Sequence, residues 1–249
     1  MPEKEPNNGG PKNGQPPENP TIDLIRRLTA VPGPSGYEGR AALAAGQELA
    51  PFATKVKTDS MGSVVAYKKG FDPNGAGPAR KVMLAAHLDE IALLVTAIEP
   101  GGFLRFTEVG GFDPRVLLGQ EVTLHPLARQ GALSARELPG IIGAKPPHFQ
   151  TAEESGQVIP LEDLYIDLGL DEAAVRRQVA VGDLATIRMP LVALKNDRAA
   201  GKAMDNRACV AIMVRTLEIL AKCHHSWDVY AVATVQEEVT GLGDRKSVV

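Results

Sequence analysis

Two adjacent carboxylates, Glu237 and Glu238, follow the apolar run Val229-Tyr230-Ala231-Val232-Ala233-Thr234-Val235. The short length of that run and its β-branched and aromatic content predict a buried strand. Acids where such a strand ends are costly unless a cation sits beside them, and a divalent metal would meet that need. Neighbouring side chains of a strand point to opposite faces, so one glutamate could bind the metal while the other flanks it as general base. Taken alone, the pair has a plainer explanation as solvated acids at a loop entrance.

Two further stretches change the balance. Lys81-Val82-Met83-Leu84-Ala85-Ala86 predicts a short buried strand and runs into His87-Leu88-Asp89-Glu90. His87 and Asp89 stand at i and i+2, so in extended backbone they share a face, and a strand end can present an imidazole ligand with a carboxylate to orient it. By itself the triplet also suits a surface histidine. Asp205, in Lys202-Ala203-Met204-Asp205-Asn206-Arg207, precedes the apolar stretch Ala208 to Leu220, which predicts a buried helix. There it is either an acid matched to the helix dipole or a carboxylate that bridges metals. All three signals fall at ends of α/β elements, where open sheets place their sites. Together His87, Asp205 and Glu238 make a nitrogen and oxygen donor set suited to Zn²⁺, Co²⁺ or Mn²⁺.

The elements that must position these residues read as follows. Thr21 to Ala30 carries apolar residues at helical spacing, and Val31-Pro32-Gly33-Pro34 stops it. Ser35 and Glu38 have capping-box spacing, with a second helix expected to about Ala50. Lys55 to Thr58 and Ser63 to Lys68 predict two strands around a turn, and a Gly/Pro/Asn loop spans Gly70 to Pro78. From Ile91 to about Arg188 the pattern changes to short strands, such as Leu93 to Ile98 and Glu121 to His125, punctuated by glycine turns. One helix, Asp171 to Val179, interrupts it, and Ala135 to Pro147 and Thr151 to Pro160 read as loops. Glu153-Glu154 reads as a solvated pair, His224-His225 as charge at a helix C-terminus or on the surface, and Cys209 and Cys223 as thiols in or near the core.

The division expected is therefore a discontinuous α/β catalytic domain, residues 20–91 and 189–242, interrupted by a β-rich insert, 92–188. Residues 1–19, rich in Pro, Asn and Gly without an apolar core, read as a disordered tail and not an export signal. Two cysteines make no disulfide framework, which points to a reduced, cytoplasmic compartment. A net charge of −3 leaves no nucleic-acid footprint, and no apolar run is long enough for a membrane span. Residues 243–249 are expected to be non-native, because suitable codons for Gly-Asp-Arg-Lys-Ser-Val-Val resemble a short-read sequencing adapter in translation.

Five motifs then resemble the M42 family of metallo-aminopeptidases, which includes tetrahedral, glutamyl and deblocking aminopeptidases. They are Val31-Pro32-Gly33-Pro34-Ser35-Gly36-Tyr37-Glu38, Ala86-His87-Leu88-Asp89-Glu90-Ile91, Gly143-Ala144-Lys145-Pro146-Pro147-His148, Gly201-Lys202-Ala203-Met204-Asp205-Asn206-Arg207 and Val235-Gln236-Glu237-Glu238-Val239. The resemblance implies a mixed-sheet catalytic domain, a β-barrel-like dimerisation domain, and two divalent ions, Zn²⁺ or Co²⁺. It implies that His87 binds one ion, Asp205 bridges both, Glu238 binds the other, Glu237 is the general base or acid, and Asp89 orients His87. It further implies peptide substrates cut at the N-terminus, a dimer-based homo-oligomer reaching a dodecamer, and a cis Asp205–Asn206 peptide. Ala92 departs from the family's usual glycine. The family's remaining Asp and His ligands lie downstream of Glu238, so this chain is expected to be an inactive, C-terminally truncated fragment. The alternatives are a related metal-dependent amidase or deacylase, a glycan hydrolase of the endoglucanase label, or a non-enzymatic assembly module.

Overall fold

A computed structural model describes residues 19–71, 80–127, 136–146, 151 and 156–241. Residues 1–18, the tail 243–249, His148 and Glu153-Glu154 lie outside the described residues. Helix α1 (Pro20–Ala30) starts where the Asn19 side chain accepts a hydrogen bond from the Thr21 amide, with a proline at the first position. Helix α2 (Gly39–Leu49) follows the loop 31–38. Strands β1 (Lys55–Thr58) and β2 (Val64–Lys68) form an antiparallel hairpin, whose turn is pinned by Asp59 Oδ1 accepting from the amides of Met61, Gly62 and Ser63. Strand β3 (Lys81–His87) leads toward the candidate site.

The chain then builds a closed barrel from β4 (Ala92–Ile98), β5 (Leu104–Val109), β6 (Glu121–His125), β7 (Leu138–Gly143), β8 (Tyr165–Asp167) and β9 (Leu184–Ile187), with α3 (Glu172–Gln178) between β8 and β9. The order around the barrel is β4-β5-β8-β7-β6-β9. Its interior is the inward half of each alternating strand: Leu93 and Val95, Leu104 and Phe106, Val122 and Leu124, with Ile142, Ile166 and Ala185. The β4–β5 turn needs left-handed backbone at Gly101 and Gly102 (φ 87° and 91°), which glycine adopts without steric cost. Strand β7 falls where a loop was expected between Ala135 and Pro147. Pro139, Gly140 and Gly143 are poor strand formers, yet β7 pairs with β6 and β8 along its length. Packing decides the matter at Gly140, where a Cβ would lie 2.9 Å from side-chain atoms of Ile166 and Leu168.

After a hairpin of β10 (Val192–Leu194) and β11 (Arg198–Ala200), helix α4 (Met204–Leu220) returns to the first layer and strand β12 (Asp228–Thr234) closes it. The sheet order is β1-β2-β12-β3, with β12 antiparallel to β2 and parallel to β3. Helices α1, α2 and α4 cover one face through Leu24, Leu28, Ala45, Leu49, Val214 and Leu217. Opposite them Ala66, Ala86, Ala231 and Ala233 present small side chains that let the helices sit close.

Three expectations fail in this layer. Strand β3 is buried only at its end, Ala86 and His87, because β12 pairs it on one side and the other is a sheet edge among the described residues. Helix α4 buries one face and leaves Ile212 and Ile219 exposed. Cys209 lies on that outer face and Cys223 beyond the helix end, so both thiols are exposed and not in the core. Among the described residues no helix is long and apolar enough to cross a membrane. Helix α5 (Glu237–Thr240), a single turn after β12, carries the paired glutamates.

Candidate metal centre

The parallel pairing of β3 with β12 sets His87 beside Thr234 at the carboxyl ends of both strands. One further bond, Leu88 amide to Thr234 carbonyl at 2.8 Å, continues the ladder before the strands part. Asp89 then turns inward and is fully buried. Its Oδ1 accepts from the Glu237 amide at 3.1 Å and its Oδ2 from the Glu238 amide at 3.0 Å. The Ser35 hydroxyl donates to Oδ2 at 2.5 Å. One carboxylate thus satisfies the two orphan amides that open α5 and ties them to the loop after α1.

This arrangement corrects two local expectations. Ser35 and Glu38 form no capping box, and no side chain caps α2. Ser35 serves Asp89, and Glu38 Oε1 accepts from the amides of Gly36 and Gln236 at 2.8 and 3.0 Å. The glutamate pair does not sit on extended backbone with its members on opposite faces. The strand ends at Thr234, Gln236 adopts the left-handed conformation (φ 58°, ψ 33°), and a helical turn begins at Glu237. Both glutamates can therefore approach the same imidazole, which alternation along a strand would prevent.

His87, Glu237 and Glu238 each offer a ligand atom, all within 4.8 Å of one another. His87 Nδ1 lies 3.4 Å from Asp89 Oδ1, so Asp89 faces one ring nitrogen. Nε2 lies 3.1 Å from Asp205 Oδ1 and 3.8 Å from Glu237 Oε2. Asp205 belongs to the first turn of α4, where its backbone and that of Asn206 are non-helical, and the peptide between them is cis. Its side chain is 88% exposed, in contrast to the buried Asp89. The four acids singled out from the sequence are thus gathered around the His87 imidazole.

Four carboxylates around that imidazole shape its electrostatics. Burial opposes a charge on His87, but its hydrogen bond with Asp89, and the charges of Asp89 and Glu237, outweigh that and raise its pKa to about 9. Burial works to raise the Asp89 pKa, yet His87, Ser35 and the two α5 amides together lower it. Glu238 is raised, by burial first, with Asp89, Glu237 and Asp205 adding to the effect against His87. Such an excess of acid, with Nε2 turned toward the carboxylates, suits a divalent cation, which would take the imidazole as a neutral donor and release its proton.

The sequence reading assigned no role to the groups that fix this site from behind. Arg207 is fully buried and donates to the carbonyl oxygens of Leu88 (2.7 Å), Leu28 (3.0 Å) and Val31, and to Glu90 Oε1 (3.4 Å). Lys202 Nζ bonds both Glu90 oxygens at 2.9 and 2.7 Å, and the Gly33 amide donates to Glu90 Oε1 at 3.0 Å. A Cβ at Gly33 would meet Arg207 Nη2 at 2.6 Å, so this glycine makes room for the guanidinium. The available signal was position: Lys202 and Arg207 bracket Asp205, and Glu90 follows Asp89. Behind this network His125 is buried in the barrel wall beside a cavity of about 300 Å³, its Nε2 2.9 Å from Thr186 Oγ1.

The described residues thus form an α/β layer interrupted by a closed barrel, with His87 and four acids gathered where β3, β12 and the first turns of α4 and α5 meet. Residues 62–248 match the family model described as M42 glutamyl aminopeptidase, and the chain belongs to the M42 family. It is 32% identical over 228 residues to a lysyl aminopeptidase of Pyrococcus furiosus, covering 90% of this chain and 61% of that one. Among solved structures it is similar to an aminopeptidase of the archaeon Desulfurococcus kamchatkensis, with TM-score 0.80 and 37% identity over 92% of this chain and 59% of that one. It is also similar to the TET1 peptidase of Pyrococcus horikoshii, described as assembling into a tetrahedron or a large octahedral shell, with TM-score 0.74 and 32% identity over 90% and 63% of the two chains. The chain thus spans about six-tenths of these relatives' length. A metallopeptidase family implies divalent metal ions, and the donor set gathered here fits them.

Proposed function

We propose that the protein is an aminopeptidase that removes N-terminal residues from peptides with two divalent ions, Zn²⁺ or Co²⁺. The observation that carries this reading is the convergence of His87, at the end of β3, with the carboxylates of Asp205 at the start of α4 and of Glu237 and Glu238 in the turn after β12. In this reading His87 and Glu238 would each help to hold an ion, with the Asp205 carboxylate available to both. Bound metal would acidify a water ligand and polarise the scissile carbonyl. Glu237, whose side chain is 38% exposed, takes a proton from the attacking water and delivers it to the departing amine. Asp89 holds the His87 ring in orientation through Nδ1.

Supporting the peptide substrate are the names of the relatives, aminopeptidases and peptidases, with which the chain aligns over about nine-tenths of its length. We further propose a dimer-based homo-oligomer, for which the shells of the P. horikoshii peptidase are the precedent. Val116, Leu118 and Ile141, apolar and exposed where the segment after β5 hydrogen-bonds to β7, suit such contacts. A cytoplasmic location is proposed with it. Because the chain spans about six-tenths of its relatives, the activity is proposed for the protein with its full ligand set. The test uses that longer protein on aminoacyl-p-nitroanilides with added Zn²⁺ or Co²⁺. Glu237→Gln should lower kcat by about 10²–10⁴-fold, the usual share of a general base, and a chelator should abolish turnover. Turnover indifferent to both would overturn the reading.

A further inference from the structure

Three consecutive amides lead into the glutamate pair, and each is held by a buried carboxylate. The Glu237 and Glu238 amides donate to Asp89, while the amide before them, Gln236, donates to Glu38 Oε1 at 3.0 Å. Glu38 is 6% exposed, and the same oxygen also takes the Gly36 amide at 2.8 Å. A carboxylate in so dry a place is costly to bury, and it gives α2 no side-chain hydrogen-bond cap. What it does reach is Gln236, a non-glycine residue held left-handed at φ 58°. That backbone is sterically disfavoured for any residue with a Cβ, so it persists where neighbours over-determine it. The conformation is also what turns the chain from the direction of β12 into α5 and swings both glutamates toward His87.

We infer that Glu38 is a positioning residue for the Glu237–Glu238 pair, acting through the backbone of Gln236. It reaches the proposed metal ligands only through that peptide. The inference rests on the metal-centre reading for its consequence but not for its geometry. It makes the loop 33–38 part of the site's framework: Ser35 aligns Asp89, Glu38 aligns Gln236, and the two carboxylates together set the α5 turn.

The experiment pairs Zn²⁺ titration calorimetry with amide hydrogen exchange, both on the metal-stripped longer protein with its full ligand set. Glu38→Met keeps the volume and removes the acceptor, and it should weaken Zn²⁺ binding by about 10–100-fold, the range for outer-sphere partners of a metal site. Glu38→Gln keeps an acceptor oxygen and should stay within about threefold of wild type, because a merely bulky filler is not what the site needs. Adding Gln236→Gly to Glu38→Met should recover part of the loss, since glycine enters the left-handed region freely. Exchange at the Gln236 amide should accelerate in Glu38→Met and stay protected in Glu38→Gln. Gln236→Val, a β-branched residue that resists positive φ, leaves Glu38 in place and should reproduce the loss even if Glu38→Met does not fold. Wild-type Zn²⁺ affinity in Glu38→Met or Gln236→Val would overturn the inference, as would equal losses in Glu38→Met and Glu38→Gln. Should wild type itself bind no Zn²⁺, the metal reading falls. The exchange result then decides alone: faster exchange at Gln236 in Glu38→Met sustains the positioning role, and unchanged exchange overturns it.

Discussion

Arg207 bonds three carbonyl oxygens and Glu90 from a position with no solvent contact. Replacing it with methionine keeps much of the stem's packing but leaves Glu90 with only Lys202 as a cationic partner, beside the Gly33 amide, and leaves those carbonyls without this donor. A cost of about 3–5 kcal/mol is expected, the usual result of removing one partner from a buried ionic network, read as a lower urea midpoint at unchanged slope. His125 supplies a pH signature of a different kind. Burial holds its folded-state pKa down at about 4, below the unfolded value of about 6.5, so the unfolded chain binds the extra proton first. Its contribution to stability is therefore complete above about pH 6.5 and lost progressively toward pH 4, about 2 kcal/mol of it by pH 5. Urea unfolding at pH 7 and pH 5 should show wild type losing more than His125→Gln by about that amount. An equal loss in both would refute the assignment. The residues gathered at the candidate site stood out from the sequence because acids at the ends of α/β elements are conspicuous. Their partners did not, because Glu90, Lys202 and Arg207 satisfy one another across the fold, and no local pattern marks that. Ser35 and Glu38 were conspicuous for the wrong reason, a helix-cap spacing whose hydrogen bonds are spent on Asp89 and Gln236 instead.

Among the elements, those with strong periodicity or capping were legible. Helix α3 runs from Glu172 to Gln178 between the residues expected to bound it, with Asp171 as the N-cap accepting from the Ala174 amide. The alternating strands β4 and β6 lie where their patterns put them. Strand β7 was not legible, because its fit depends on neighbours remote in sequence. Gly140 and Gly143 are tolerated there since the Ile166, Leu168 and Tyr165 side chains occupy the space a Cβ would need. Gly140→Val should accordingly cost at least about 1–3 kcal/mol through overpacking, despite the better intrinsic strand preference of valine. A thermal melt of the variant that equals or exceeds wild type would show the barrel wall to be looser than this contact implies. Burial was misjudged for β3 and α4 for a related reason. Apolar composition reports that an element has a partner on one face, not that it is covered on all.

For the molecule as a whole, the barrel's strands run from Ala92 to Ile187. Closure of those strands into a barrel was legible only through the family resemblance, since strand number and punctuation leave sandwich and barrel alike open. The two layers keep separate cores, one built by helices on a four-stranded sheet and one enclosed by the barrel. The network of Arg207, Lys202 and Glu90 joins the end of α1, the end of β3 and the start of α4, close to where the chain leaves for the barrel and where it comes back.

The register of β3 against β12 carries a consequence for how the protein is made. The two strands match residue for residue from Asp228 with Lys81 to Thr234 with His87, yet everything from Leu88 to Trp227 is synthesised between them. A ribosome extending at about 5–20 residues per second presents His87 several seconds before the glutamates that answer it. During that interval the barrel, whose pairings are all internal to residues 92–187, already has every strand it pairs. Once closed, it shortens the loop whose closure entropy the β3–β12 pairing must overcome. The nascent β3 meanwhile waits as an unpaired edge, the kind of segment chaperones shield from mispairing. The candidate site is thus completed late in the described residues, once β12 slides in beside a strand that has been waiting since early in translation.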